Sequence, residues 1–267
     1  MIFVPSSTHP PSTDPSVLIL ASPGSVAFLP QLSIDLLINS LAFNCVGSLL
    51  SPFITPLVGS LVYDHIPDHL HTAAELYQSD KCPGVSLLQF RSNIIKGSSV
   101  AFSDDFTKWF NQSNFSSMCI LASLDATRRN DRQLATSKLR YRFTNNISET
   151  LKKSIKEIGL LELEDYPIDT FNPYSTDQQP VGVKASSTQS ISIPPGAGPA
   201  KFILNNLLDK QVVLLSYFTQ PGDNSTQAFE LADCVNDLYH IASPQKWSVP
   251  SSWDVLYGPE TELKELF

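Results

Sequence analysis

Histidine and aspartate are concentrated in one short stretch, DHIPDHLH, at residues 64–71. Imidazole and carboxylate groups are zinc ligands, so the stretch could form a metal site if His65, His69 and His71 converged. Only His65 and His69 have a spacing that shares a helical face, and Pro67 disfavours a regular helix. We therefore predict an exposed polar loop here and assign no metal ligand.

Glycine-containing turns follow two predicted strands, at residues 22–25 and 195–198. A phosphate-binding loop would end in Gly-Lys-Ser/Thr, whereas the second turn continues with Pro199, Ala200 and Lys201. A tight turn that opens a helix is therefore favoured over a nucleotide site. The sequence also has no Gly-x-Ser-x-Gly motif, which would support a hydrolase nucleophile. We predict no catalytic residue and no cofactor.

Basic residues are concentrated at residues 128–142, RRNDRQLATSKLRYR, where Arg128, Arg129 and Arg132 stand close together. The stretch follows a predicted strand and is interpreted as a loop at the carboxyl end of that strand, where α/β folds often bind ligands. A solvated loop and an ionic contact with an acidic protein partner both remain open. Nucleic acid is disfavoured because the whole chain has a net charge of −8.

The composition predicts a globular protein with a sizeable core. The 267 residues are 42% hydrophobic and 10% aromatic, enough for one large domain or two small ones. The acidic balance argues against a general binder of nucleic acid or anionic membranes. No C-x-x-C pair occurs, so reduced and packed thiols are predicted for Cys45, Cys82, Cys119 and Cys234. No basic residue precedes the first apolar stretch, so we expect an intracellular protein.

One uncharged stretch, residues 36–63, is long enough to span a bilayer. It also contains several polar residues together with Pro52 and Pro56, which break helices. These residues divide the stretch into a helix and a following strand. We therefore predict no membrane span.

Alternating strand and helix patterns predict an α/β sandwich. Short apolar runs predict strands at residues 17–21, 46–50, 73–77, 85–90, 118–121 and 212–218. Helical spacing of apolar residues predicts helices at residues 29–41, 102–111, 148–158 and 225–240. Ser103, Asp104 and Asp105 are predicted to begin the second helix. We predict a single domain over residues 1–258, with a mobile insertion around 162–190 and a flexible tail at 259–267.

The segment KWSVPSSWDVLYG, residues 246–258, contains two of the three tryptophans. Pro250 lies between Trp247 and Trp253 and restricts the backbone. Each indole could bury a large apolar area if a partner accepts its N–H. We predict that the tryptophans clamp this segment onto the domain, with direct contact to another subunit as the alternative.

Several stretches together resemble the proteasome assembly chaperone 2 family. They occur in the family's order and cover most of the chain, and the Trp-x-x-Pro-Ser-Ser-Trp pattern is the most specific. They are QLSIDLLINSL, LQFRSNIIKG, RRNDRQL, IPPGAGPAKFIL, QPGDNSTQAFELADCVNDLY and KWSVPSSWDVLYG. The resemblance implies a three-layer α/β sandwich with a mostly parallel central sheet, similar to the nucleoside phosphorylase core. It implies a binding scaffold without catalysis.

The resemblance also implies partners. Family members pair with proteasome assembly chaperone 1, and the pair binds the outer face of the proteasome α-ring, in the cytoplasm and nucleus. There it supports ring assembly and keeps regulatory caps off immature particles. On this basis the partner-binding residues would include Arg128, Arg129 and Arg132.

The C-terminal tail is the other partner-binding segment that the resemblance implies. Tails in this family enter pockets between α subunits, often with a hydrophobic residue, a tyrosine and a last residue. Here Glu265, Leu266 and Phe267 occupy those places, so Phe267 and its carboxylate are the expected contacts. The alternative function is a small-molecule enzyme with a phosphorylase-like site at the two glycine turns.

Overall fold

The computed structural model describes residues 1–9, 11–12, 17–60, 62–66, 69–166, 190–243 and 246–255. These residues form a nine-stranded sheet with helices on both faces, and a separate two-stranded ribbon of residues 58–59 and 71–72. In chain order the elements are β1 (Ile2–Pro5), β2 (Val17–Ala21), α1 (Leu29–Leu41), β3 (Asn44–Leu50), β4 (Val58–Gly59), β5 (His71–Thr72), β6 (Ala74–Gln78), β7 (Val85–Phe90), α2 (Ser99–Gln112), β8 (Ser117–Asp125), α3 (Asp131–Leu134), β9 (Leu139–Phe143), α4 (Glu149–Ile158), β10 (Leu161–Glu162), α5 (Ala200–Asn206), β11 (Val212–Thr219) and α6 (Ser225–Tyr239).

The strand order is β1-β3-β6-β7-β2-β8-β11-β9-β10. The four central strands, β7, β2, β8 and β11, are parallel to one another. Parallel strands covered on both faces are apolar almost throughout, which explains the continuous apolar sequences of β2 and β11. Strands β1, β3 and β6 continue the sheet antiparallel on one side, and β9 pairs antiparallel with β11 on the other.

Two hydrophobic cores lie on the two faces of the sheet. One core contains apolar residues of α1, α4 and α6, and the other contains those of α2 and α5. The predicted α/β sandwich with helices on both faces of a mostly parallel sheet is confirmed. The likeness to nucleoside phosphorylases stays a prediction.

The uncharged stretch at residues 36–63 contains the end of α1 followed by β3, as the polar and proline positions predict. Within the described ranges, no helix combines the length and the apolar character that a membrane span requires. The predicted strand at residues 85–90 and the helices at 29–41 and 148–158 agree with the structure to within one residue. Ser148 caps α4, since its side chain accepts a hydrogen bond from the Leu151 amide.

Two predictions of local secondary structure are wrong. Helix α2 begins at Ser99, so Ser103, Asp104 and Asp105 lie inside it and do not cap it. The earlier start brings Phe102 onto the buried face of α2, where its ring stacks on that of Phe106 with centroids 5.9 Å apart.

The basic stretch is also not a loop throughout, because Leu139–Phe143 forms strand β9 against β11. Its alternation of apolar and basic residues is the sequence signal of a half-buried strand. The predicted insertion around residues 162–190 lies mainly outside the described residues, and the predicted tail at 259–267 lies entirely outside them.

Candidate protein-binding surface

Large apolar side chains are exposed at one margin of the sheet. We call Ile2, Val4, Leu50, Leu57 and Val58 the apolar edge patch. Their exposed fractions range from 38% for Leu57 to 71% for Val58. Neighbouring exposed apolar residues of this size mark interaction sites, because their burial by a partner is favourable.

Strand β1 provides part of the apolar edge patch through its pairing with β3. Ile2 and Val4 lie on one face of β1, and the register places Ile2 opposite Leu50. Phe3 points to the other face and packs against the core that includes α2 and α5. Gly47 admits this ring, since a Cβ at that position would lie 2.5 Å from the Phe3 ring.

The β4–β5 ribbon completes the patch. Val58 in β4 pairs with Thr72 in β5, and the Thr72 hydroxyl donates to the Ser48 hydroxyl of β3 at 3.1 Å. A groove of about 460 Å³ runs between the ribbon and the sheet margin, and every residue that lines it has an uncharged side chain. Edge strand β1 ends in Pro5, which lacks an amide N–H, so the margin is a poor template for a further strand. The surface is therefore suited to side-chain packing by an apolar partner.

The three arginines of the basic stretch have different environments. Arg129 is partly buried and donates to the backbone carbonyls of Gln133 and Thr136, and its guanidinium lies 5.7 Å from the centre of the Phe218 ring. Arg128 and Arg132 are exposed and form no ion pair with any residue that the structure describes. Arg129 thus organises the loop, and Arg128 and Arg132 face solvent.

The C-terminal segment at residues 246–255 packs across the end of α1. Trp247 is 8% exposed, and its indole N–H donates to the Asp233 carboxylate in α6 at 2.6 Å. The Ser248 amide donates to the Ser40 hydroxyl at 2.7 Å. The Trp253 amide donates to the Pro250 carbonyl at 3.0 Å, which closes a turn. The Trp253 ring is partly buried and packs against the same core as Trp247.

The prediction of an exposed polar loop at residues 64–71 is wrong for His71. His71 is fully buried, and its Nδ1 lies 2.9 Å from the Glu75 carboxylate. His69 also reaches Glu75, at 3.1 Å, whereas His65 faces the Phe43 carbonyl instead. Glu75 lies in β6, and a search confined to the histidine-rich stretch misses it. The signal available in the sequence was an acidic residue in the middle of the predicted strand at residues 73–77, whose other residues are Ala, Ala, Leu and Tyr.

A buried polar layer continues from this region toward α1. The Tyr63 hydroxyl donates to the Asp35 carboxylate at 2.6 Å and accepts from Arg91 at 2.6 Å. Gln89 donates to the same Asp35 oxygen at 2.7 Å. Burial holds the pKa of Tyr63 well above its usual value, so the phenol stays protonated; the positive charge of Arg91 opposes this shift and the negative charge of Asp35 adds to it. These contacts fix the loop before β5 against α1 and β7.

The two glycine turns bond to each other at the carboxyl edge of the sheet. The Ser22 hydroxyl donates to the Ala197 carbonyl at 2.6 Å, and the Val26 amide donates to the Gly196 carbonyl at 2.9 Å. A Cβ at Gly198 would lie 2.0 Å from the Pro23 carbonyl oxygen. The glycines therefore permit close backbone contact between the turns. This arrangement does not favour the alternative of a phosphorylase-like small-molecule site.

The cysteine prediction is confirmed, since all four thiols are free and buried. Burial raises the pKa of each one, to about 12 for Cys45 and Cys234. A raised pKa disfavours the thiolate, which is the nucleophilic form. None of the four is therefore poised for nucleophilic chemistry in this environment.

Known proteins that resemble this chain were found by sequence and by structure. Residues 20–213 match the sequence model of the PAC2 family. Proteasome assembly chaperone 2 of Xenopus laevis is 31% identical over 269 residues, covering 96% of this chain and 97% of that protein. Proteasome assembly chaperone 2 of Homo sapiens is 28% identical over 271 residues, with the same coverage of each chain. Both relatives are proteasome assembly chaperones.

Two solved structures share the fold. A Thermoplasma acidophilum protein of unknown function has a TM-score of 0.63 and 16% identity, covering 95% of this chain and 89% of its own. Pyrococcus furiosus PbaA, an archaeal homolog of proteasome-assembly chaperone, has a TM-score of 0.59 and 13% identity, covering 88% and 86%. With the match over residues 20–213 and relatives that span nearly the whole chain, these findings show that the chain belongs to the PAC2 family.

Proposed function

We propose that this protein is a proteasome assembly chaperone subunit that pairs with proteasome assembly chaperone 1 and binds the α-ring of the core particle. There the pair promotes ring assembly and blocks premature cap binding, in the cytoplasm and nucleus. The near-full-length similarity to proteasome assembly chaperone 2 proteins supports the assembly role. The exposed apolar edge patch is the structural observation that supports binding to a protein partner.

The apolar edge patch is the proposed pairing surface. Its side chains are large and uncharged, and Ile2, Leu50, Leu57 and Val58 line the adjoining groove, in which every lining side chain is uncharged. Fully buried interface centres are depleted in charged residues, so this surface matches the composition of a stable pairing interface. The matching surface on proteasome assembly chaperone 1 would be apolar too.

Co-expression tests the proposed pairing directly. We expect the chain to be poorly soluble alone and to become soluble as a one-to-one complex when proteasome assembly chaperone 1 of the same organism is co-expressed, because the apolar edge patch is then covered. Size-exclusion chromatography with mass determination measures both states. A soluble monomer at high concentration that ignores the added partner would contradict the proposal.

Arg128 and Arg132 are the proposed contacts to acidic surfaces of the α-ring. Changing both to glutamate should weaken binding of the chaperone pair to the ring by about 10-fold and flatten its salt dependence, because attraction becomes repulsion. Arg129 is kept, since it holds the loop together. Titration of purified α-ring at two salt concentrations measures the effect.

A matched control for the arginine pair is available in α4. Lys153→Glu with Lys156→Glu makes the same change in net charge at two exposed positions of a helix. This control should leave ring affinity unchanged. Equal effects of the two double variants on ring affinity would mean that only net charge matters. The arginine loop would then be a solvated turn without a specific contact to the ring.

The tail residues Glu265, Leu266 and Phe267 are the second proposed ring contact. Deleting them should lower ring affinity by about 10-fold without lowering the melting temperature, if Phe267 and its carboxylate occupy a pocket. Adding one glycine after Phe267 displaces the carboxylate and keeps the side chains, so it separates the two contributions. Unchanged ring binding by the deletion would remove the tail from the proposal.

A further inference from the structure

Three metal-binding side chains meet beside the β4–β5 ribbon. The Sγ of Cys45, an imidazole nitrogen of His69 and a carboxylate oxygen of Glu75 all lie within 4.8 Å of one another. Thiolate, imidazole and carboxylate are the three ligand types that zinc takes in proteins. Cys45 and Glu75 are buried, and His69 is partly exposed.

An irregularity in β3 brings Cys45 to this point. The register places Cys45 opposite Tyr77 and Ser48 opposite Glu75, with a shift between Cys45 and Gly47. An extra residue in one strand re-aims the side chains that follow it. Cys45 and Ser48 therefore both face the side of the sheet on which Glu75 and Tyr77 lie, although regular alternation would place them on opposite faces.

Glu75 is buried, and each of its two carboxylate oxygens has two close hydrogen-bonding neighbours. Oε2 accepts from the Tyr77 hydroxyl at 2.6 Å and faces His71 Nδ1 at 2.9 Å. Oε1 accepts from the Thr72 amide at 2.7 Å and faces His69 Nε2 at 3.1 Å. Within the described part of the chain its ion-pairing partners are both imidazoles. A buried carboxylate requires a compensating positive charge, and a divalent cation would supply it.

We propose that Cys45, His69 and Glu75 bind a zinc ion. Zinc bond lengths of about 2.0–2.3 Å place tetrahedral ligand atoms roughly 3.3–3.6 Å apart, so small side-chain rotations close the site. His71 and Tyr77 hold Oε2 and leave Oε1 to face the metal, which is the usual role of residues behind a ligand. Zinc takes the place of the Cys45 thiol proton, which is released to solvent, and water completes the fourth position.

The position of the site links it to the apolar edge patch. The His69 side chain is 33% exposed, which provides an entry path for the ion. Leu70 lies between His69 and His71 and is 65% exposed. Zinc would anchor this segment to β3 and β6 next to the ribbon that carries Val58. The metal would therefore order the surface that is proposed to meet the partner.

Cobalt and zinc titrations of the full-length, chelator-treated protein test the proposal. Co²⁺ should produce a thiolate-to-cobalt charge-transfer band and the visible bands of tetrahedral cobalt, both of which disappear when Zn²⁺ is added. Zinc at about one hundred times its dissociation constant should raise the melting temperature by roughly 5–10 °C.

The controls match each ligand by residue type. Cys45→Ser and His69→Asn should each abolish the charge-transfer band or weaken zinc binding by about 10–100-fold. Cys82→Ser and His9→Asn should behave like the parent, since Cys82 is another buried thiol and His9 another exposed histidine. His69 is partly exposed, so its replacement remains informative even if Cys45→Ser does not fold. Absence of the band in the parent, or its persistence in both ligand variants, would overturn the proposal.

Discussion

Replacing Trp247 with alanine is expected to lower the free energy of unfolding by about 3–5 kcal/mol. The indole is nearly fully buried against the core formed by α1 and α6, and its removal leaves a cavity where the segment at residues 246–255 packs on the domain. The hydrogen bond to Asp233 contributes less, because that carboxylate is exposed and remains hydrated. The loss is a large share of the roughly 5–15 kcal/mol that stabilises a typical domain. Urea unfolding measures it.

Two further variants separate the contributions of Trp247 and Trp253 to stability. Trp247→Phe keeps most of the apolar contact and should cost about 1–2 kcal/mol. Trp253→Ala should cost less than Trp247→Ala, because the Trp253 ring is only partly buried and its N–H has no acceptor among the described residues. If Trp247→Ala unfolds at the same urea concentration as the parent, the segment at residues 246–255 does not clamp the domain.

Introducing charge into the apolar edge patch is expected to abolish pairing with proteasome assembly chaperone 1. Leu50→Glu with Val58→Glu should weaken the complex by about 100-fold or more, because an unpaired carboxylate in a dry interface loses its hydration without compensation. Both side chains are exposed in the single chain, so the fold should tolerate the change. Pull-down and calorimetric titration measure the loss.

The opposite edge of the sheet supplies the matched control for this variant. Leu161→Glu places one carboxylate, half the charge added by the double variant, on an exposed apolar residue of edge strand β10. It should leave pairing unchanged. The double variant should also be more soluble than the parent alone, since the surface that promotes association is removed. Normal pairing by the double variant would mean that proteasome assembly chaperone 1 binds elsewhere.

The sequence alone determined the central strands and the main helices. Strands β2 and β7 and helices α1, α4 and α6 depend on local apolar periodicity and on nearby turn or capping residues, and a short window contains that information. The family could also be identified, because its resembling stretches occur in a fixed order along the chain.

Only the tertiary structure decided which residues form the apolar edge patch and which side chains meet in the buried clusters. The apolar edge patch exists because β1 pairs with β3, a contact between residues more than forty positions apart. Arg129, in the loop after β8, is partly buried because its guanidinium packs over Phe218 of β11. Cys45 meets Glu75 only through the shifted register of β3 and β6. Periodicity in a sequence reports which residues are buried, whereas strand order and register decide which of those residues touch, and both depend on the packing of the whole sheet.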